Sequence, residues 1–196
     1  MNEDKDIEVT LSHEFWCCKR EFDAFTYYGT FLLVSDSKKE IRLAAFTAYG
    51  NFIRHLYSFY EGIIKHRNTD LLEGKSNVIA NKISELMSDE VRKLIRNKAL
   101  VYQSRQELDS REMKYLVESE VPDQFGVDFR QMRNRFSHSI PSRVNMSQIT
   151  LDEFYNRYHR YMLLLLEACS FSWTVKDTNS FDWQEIDRFL NVLKSD

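Results

Sequence analysis

The fold class is indicated most clearly by the segment TLDEFYNRYHRYMLLLLEACSFSW, residues 150–173. It opens on Thr150-Leu151-Asp152-Glu153, a capping box in which a hydroxyl and, three residues later, a carboxylate satisfy the free amides of a helix start. It continues into the run Tyr161–Leu166, which is apolar on every face. Because a helix that is apolar all round is buried, we expect a long helix through the centre of a helical core.

The rest of the chain has the same helical character. Apolar residues recur at three- and four-residue steps, and the five Gly and two Pro of the chain are too few for a fold of many strands and turns. We therefore predict an all-α antiparallel bundle of about six or seven helices, with a short extra helix near 111–118. Besides the helix at 150–173, the predicted helices cover 11–34, 38–66 (capped by Ser37), 76–87, 91–104 (capped by Ser88), 128–139 and 182–193.

Length and composition limit the possible classes of protein. A chain of 196 residues suits one domain, which we place at 11–196 behind a flexible acidic N-terminus at 1–10. No apolar run is long enough to span a membrane, and the polar N-terminus does not resemble a secretory signal. With a net charge of -3, a nucleic-acid partner would have to bind a local basic patch.

The cysteines favour a reduced protein without a metal centre. Cys17, Cys18 and Cys169 are odd in number and lack metal-finger spacing, so we expect buried or half-buried free thiols in a cytoplasmic protein. No glycine-rich phosphate loop, nucleophile elbow or paired Cys-x-x-Cys is present, and we predict no cofactor and no metal.

The segment QMRNRFSHSIP, residues 131–141, contains the candidate catalytic residues. It places Arg133, Asn134 and His138 in the pattern Arg-Asn-x-x-x-His. A guanidinium can hold a phosphate, an amide can orient its neighbours, and an imidazole can move a proton near neutral pH. With 15 Arg and five His, an Arg followed by His at such a spacing is expected about once by chance. The additional Asn, one of 11 in the chain, lowers that expectation to about 0.06.

The surroundings of this motif are basic. Arg130, Arg135 and Arg143 accompany Arg133, and no acidic residue lies between Phe129 and Arg143. Arginine suits phosphate recognition because its planar guanidinium binds in a bidentate manner, so these arginines are candidate RNA-binding residues. On an ideal helix, Asn134 and His138 lie about 40° apart, but Arg133 and His138 lie about 140° apart. To act together with His138, the side chain of Arg133 would have to extend around the helix, or the helix would have to distort. Alternatively, a second copy of the chain would have to complete the site.

These residues resemble the signature of the HEPN superfamily, in which four to six residues, often beginning with a polar one, separate an Arg from a His. The resemblance implies an all-helical homodimer that cuts RNA without metal by attack of the 2′-hydroxyl. His138 would transfer protons, Arg133 would stabilise the transition state, and Asn134 would orient them. It also implies a cytoplasmic toxin or antiviral defence effector, with a protein antitoxin or regulator as a partner.

Two other functions are compatible with the same residues. One is a non-catalytic helical module that binds RNA or a protein through the basic patch, with its arginines paired to acidic residues elsewhere in the bundle. The other is a structural dimerisation domain, whose interface would use the stripe Tyr49–Tyr60 or the final helix with Trp183. The remaining histidines are predicted to be structural or surface residues: His13, His55, His66 and His159.

Overall fold

All regular structure that is described is helical. The computed structural model describes residues 3–34, 38–70, 75–105, 120–137, 149–173 and 184–193. Within these ranges the predicted all-α class is confirmed, and no described helix is both long and apolar enough to cross a bilayer. The helices are α1 (Glu3–Val34), α2 (Lys39–Arg67), α3 (Ser76–Arg105), α4 (Phe125–Ser137), α5 (Leu151–Trp173) and α6 (Gln184–Leu193).

The helix at the centre of the bundle is α2. It packs against α1, α3, α4 and α5, and its buried side chains run from Ala45 to Ile64. Tyr49, Tyr57 and Tyr60 are among these buried residues, so the predicted dimer interface at this stripe is wrong. The prediction that α5 is buried all round also needs correction, because Leu163 within its apolar run is 40% exposed.

The start of α5 forms as predicted. The backbone N–H of Thr150 donates to Glu153 Oε2 at 3.0 Å, and the N–H of Glu153 donates to Thr150 Oγ1 at 3.4 Å. This reciprocal pair is the capping box, and it fixes where the last long helix of the core begins.

Three other helix starts differ from the sequence prediction, and α4 is one of them, since it begins at Phe125 rather than at Asp128. α1 begins at Glu3 rather than at Leu11, because the packing of Ile7 against the core stabilises helical structure before Leu11. α2 begins at Lys39 after Lys38, which makes no capping hydrogen bond through its side chain. Ser37, the segment 111–118 and Trp183 lie outside the described residues.

The predicted break between two helices at Ser88 is wrong, since α3 continues through it. Ser88 is buried, its hydroxyl donates to the Ser84 carbonyl at 3.3 Å, and it accepts the N–H of Gly126 at 3.1 Å. Its hydroxyl therefore satisfies an amide at the start of α4 rather than capping α3. Ser88 does accept an amide at a helix start, but that helix is α4 and not α3.

The cysteines are free, as predicted. Cys18 and Cys169 are buried and Cys17 is half-buried. Burial raises the pKa of the Cys18 and Cys169 thiols, so both are protonated at neutral pH. Within the described ranges, no group of His, Cys, Asp or Glu side chains is arranged to hold a metal ion.

A buried carboxylate ties α4 to α5. The hydroxyl of Tyr158 donates to Asp128 Oδ2 at 2.7 Å, and Gln124 Nε2 donates to Asp128 Oδ1 at 3.3 Å. Burial and the hydrogen bond to Asp128 raise the pKa of Tyr158 to about 12, so the hydroxyl remains a donor.

Asp128→Ala is expected to lower the free energy of unfolding by about 2 kcal/mol, because the buried hydroxyl of Tyr158 loses its charged acceptor. Urea denaturation would measure the loss. Asp128→Asn keeps an acceptor and should cost less, and adding Tyr158→Phe to Asp128→Ala should recover part of the loss. Equal losses for Asp128→Ala and Asp128→Asn would contradict this account.

Candidate functional site

The position of α4 determines where the motif lies. Its buried face, Phe125, Phe129 and Met132, enters the core, and Phe129 packs edge-on against Tyr57 at 5.1 Å between ring centroids. At the other end of α4, the Phe136 ring lies against Gly50, where any Cβ would come within 2.1 Å of a ring carbon. Because Phe129 meets Tyr57 and Phe136 meets Gly50, α4 runs antiparallel to α2. Arg133 lies between these two contacts.

Arg133 is held at the surface by three neighbours. Its Nη1 donates to Asn134 Oδ1 at 3.0 Å, its Nη2 donates to Glu61 Oε2 at 3.4 Å, and its Cζ lies 5.5 Å from the centroid of the Tyr57 ring. The side chain of Arg133 is 30% exposed, so the guanidinium is oriented and still open to solvent. Glu61 also binds Lys65 Nζ, at 2.9 Å through Oε1.

Tyr57 and Glu61 are site residues that the sequence did not identify. Burial raises the pKa of Tyr57, Glu61 adds to the rise, and the nearby charges of Arg130 and Arg133 oppose it. The hydroxyl therefore stays protonated. In the sequence, Tyr57 and Glu61 are four residues apart on a predicted helix, which places both side chains on one face of that helix. This spacing does not show that the face packs against Arg133.

The arginines of α4 do not form one surface. Arg130 Nη2 donates to Asn81 Oδ1 of α3 at 3.1 Å, on the same side of α4 as Arg133. Arg135 turns the other way and donates to the Ile149 carbonyl at 3.0 Å. There it borders a separate cleft of about 520 Å³ between α1, α2 and the start of α5, together with Arg42, Tyr49 and Tyr155.

His138 and Arg143 lie outside the described residues. The structure describes α4 as far as Ser137, whose hydroxyl donates to the Arg133 carbonyl at 2.9 Å. The pairing of Arg133 with His138 therefore stays a prediction.

Two of the other histidines are half-buried in polar networks. His159 Nδ1 lies 2.9 Å from the Tyr49 hydroxyl, its ring stacks on Tyr155 at 4.3 Å, and burial lowers the pKa of His159. His55 Nδ1 lies 2.7 Å from Glu14 Oε2. His159 is thus a structural residue, in agreement with the sequence prediction. His55 is likewise held in a contact between α1 and α2.

Comparisons with known proteins do not place this chain in a family. No protein-family model matches it, and no curated protein or solved structure matches it at a significant level. The likeness to the HEPN superfamily therefore rests on Arg133, Asn134 and His138 in a chain whose described part is all-helical.

Proposed function

We propose that this protein is a metal-independent endoribonuclease of the HEPN type. The observation that carries the proposal is the state of Arg133, a partly exposed guanidinium oriented by Asn134 and Glu61 and five residues before His138 in sequence. An oriented and accessible guanidinium suits a phosphate that gains negative charge during reaction. The helical fold of the described residues is compatible with this family.

The reaction would need no cofactor. The 2′-hydroxyl of the RNA attacks the adjacent phosphorus, and the bond to the 5′-oxygen breaks, leaving a 2′,3′-cyclic phosphate. His138 either removes the proton of the 2′-hydroxyl or protonates the departing 5′-oxygen, since an imidazole titrates near neutral pH. Arg133 stabilises the charge that builds on the phosphorus oxygens, and Asn134 keeps its guanidinium in place.

Glu61 acts as the counter-ion of Arg133 when no RNA is bound. Its contact with Arg133 is long, at 3.4 Å, whereas its contact with Lys65 is 2.9 Å. A phosphate that takes over the guanidinium therefore leaves Glu61 still paired. Because this exchange leaves no charged group unpaired, the ion pair between Arg133 and Glu61 does not prevent RNA from binding.

A homodimer would bring two copies of the motif together. Large apolar side chains are exposed near the end of α1 and the start of α2, and Phe46 among them packs against Phe136 of the motif helix at 5.5 Å. Exposed apolar surface of this kind is typical of protein interfaces. We place the dimer contact here and, from the resemblance alone, infer a cytoplasmic toxin or antiviral effector restrained by an antitoxin or other regulator. The exposed side chains are Tyr27, Phe31, Leu32, Leu33, Leu43 and Phe46.

The alternative is a non-catalytic helical module. The ion pair between Arg133 and Glu61 and the same apolar surface favour this function, because both fit a protein that binds a partner without reacting with it. RNA or protein would then contact the arginines of α4, and no proton transfer would occur.

Incubating the protein with RNA in EDTA tests the proposal. We expect the wild type to cleave and to leave 2′,3′-cyclic phosphate ends, and His138→Ala to reduce the rate by about 10²- to 10⁴-fold. His66→Ala, at an exposed histidine near the end of α2, is the matched control and should retain full activity. RNA binding without cleavage by the wild type would establish the module instead.

A further inference from the structure

The last described helix, α6, carries an apolar stripe that the bundle leaves open. From Ile186 to Leu193, apolar residues recur at three- and four-residue steps. The extensive helix–helix contacts of the described residues all lie among α1–α5. Leu190, within this stripe, is 43% exposed. The packing of the bundle therefore leaves the α6 stripe available to a partner.

A helix as short as α6 depends on packing for its stability. It has 10 residues, and isolated helices shorter than about 12–15 residues are only marginally stable in water. In proteins most of the missing stability comes from burying an apolar stripe against another element. α6 thus needs an apolar surface on which to pack.

An open cleft between α3 and α5 offers such a surface. It has a volume of about 640 Å³, and it includes Phe171, whose side chain is 85% exposed. Lys98 Nζ contacts Glu167 Oε2 at 2.7 Å and ties the two walls together. The described residues that line the cleft belong to α3 and α5 alone, so α6 does not fill the cleft of its own chain. The apolar and aromatic lining residues are Leu94, Val101, Tyr102, Leu164, Ala168 and Phe171.

The cleft and the α6 stripe match in length. On α3 the lining extends from Leu94 to Tyr102, which is about two helical turns. On α5 it extends over a similar length, from Leu164 to Phe171. The α6 stripe, residues 186–193, also covers about two turns. Grooves between helices bind amphipathic helices whose apolar residues lie at such steps.

Charge also matches at the edge of the cleft. Asp187 is exposed and lies about 100° from Ile186 around α6, so its carboxylate flanks the stripe. The Lys98 ammonium has three N–H donors, and Glu167 accepts from it. A docked α6 therefore offers Lys98 a second carboxylate.

We propose that α6 of one copy docks in the cleft between α3 and α5 of a second copy, and that the exchange is reciprocal. Both surfaces are open on every chain, so two copies related by a two-fold axis cover each other's stripe and cleft at once. Ten residues join Trp173 to Gln184, a length that spans at most about 35 Å and can reach a neighbouring bundle. The contact is distinct from the one placed at the end of α1 and the start of α2, and it does not depend on RNA cleavage.

Hydrogen exchange of α6 in the full chain, followed by mass spectrometry, tests this contact. In concentrated wild-type protein the α6 amides should exchange at least about tenfold more slowly than after dilution, because dissociation leaves α6 without its cleft. Phe171→Asp damages the cleft and Leu190→Asp damages the stripe, so each variant alone should lose this protection. Both side chains are exposed in a single copy, and neither substitution should unfold the bundle.

Leu100→Asp is the matched control for Phe171→Asp. Leu100 is 62% exposed on α3 and does not line the cleft. The same substitution there should leave the exchange of α6 as slow as in the wild type.

Mixing the two damaged variants decides whether the contact forms between copies. Phe171→Asp keeps an intact stripe and Leu190→Asp keeps an intact cleft, so a mixed pair contains one complete contact. In the mixture the α6 peptide of Phe171→Asp should regain protection. The α6 peptide of Leu190→Asp, which differs from it in mass, should not.

The other outcomes each overturn part of the proposal. Protection of α6 that is unchanged by dilution and is not restored by mixing would place α6 in the cleft of its own chain. Protection that survives Phe171→Asp would show that α6 packs on another surface. Rapid exchange of α6 in concentrated wild-type protein, or equal loss of protection in Leu100→Asp, would overturn the docking itself.

Discussion

Gly126→Ala is expected to lower the free energy of unfolding by about 3 kcal/mol, the largest effect on stability among the changes considered. A Cβ at this position would lie 1.8 Å from the backbone oxygen of Ser84 on α3, so the two helices would have to separate. Their separation would also stretch the hydrogen bond from Gly126 N–H to the Ser88 hydroxyl. Urea denaturation followed by circular dichroism would measure the change.

Gly29→Ala is the matched control, since it makes the same chemical change on a helix. No atom lies within 4 Å of a Cβ added there, so the substitution should stabilise α1 by about 0.5–1 kcal/mol. Opposite signs for the two variants would show that close contact between α3 and α4 decides the outcome. If Gly126→Ala were as stable as the wild type, the packing described at Ser84 would be wrong.

Arg133→Ala is expected to reduce RNA cleavage by about 10²- to 10³-fold while leaving the fold intact. The guanidinium is the group that stabilises charge on the reacting phosphate. Its loss leaves Glu61 paired with Lys65 at 2.9 Å, so the cost in folding free energy should stay below about 1 kcal/mol. Single-turnover cleavage and a thermal melt of the same sample would measure both quantities.

Arg130→Ala and Arg133→Lys are the informative controls for that prediction. Arg130 donates to Asn81 and should affect RNA affinity more than the cleavage rate of bound RNA. Lys at position 133 keeps the charge but not the planar pair of donors, so it should restore only part of the activity. Unfolding of Arg133→Ala, rather than loss of activity, would assign Arg133 to the structure of the bundle.

Local patterns predicted the helices well. The capping box at Thr150 and the spacing of apolar residues depend on neighbours within four positions, and the sequence displays these directly. The error at Ser88 has a physical cause: a serine that can cap a helix can equally accept an amide from another element, and here the amide belongs to Gly126. Only the close approach of α3 and α4 distinguishes these two uses.

Only part of the candidate site could be recognised from the sequence. Arg133 and Asn134 are adjacent, so their hydrogen bond requires no tertiary contact. Glu61 lies 72 positions from Arg133, and Glu14 lies 41 positions from His55. No local pattern could name either pair.

By itself, the sequence determined the helical class, the start of α5, the free thiols and the motif of Arg133, Asn134 and His138, because each depends on residue type and short spacing. The tertiary structure alone decided that α3 runs unbroken, that Arg135 turns away from Arg130, and that Glu61 pairs with Arg133. The physical reason is that helix formation is governed by interactions between residues close in the chain. The partners of a charged side chain, by contrast, depend on which helices pack together and on the rotation of each about its axis.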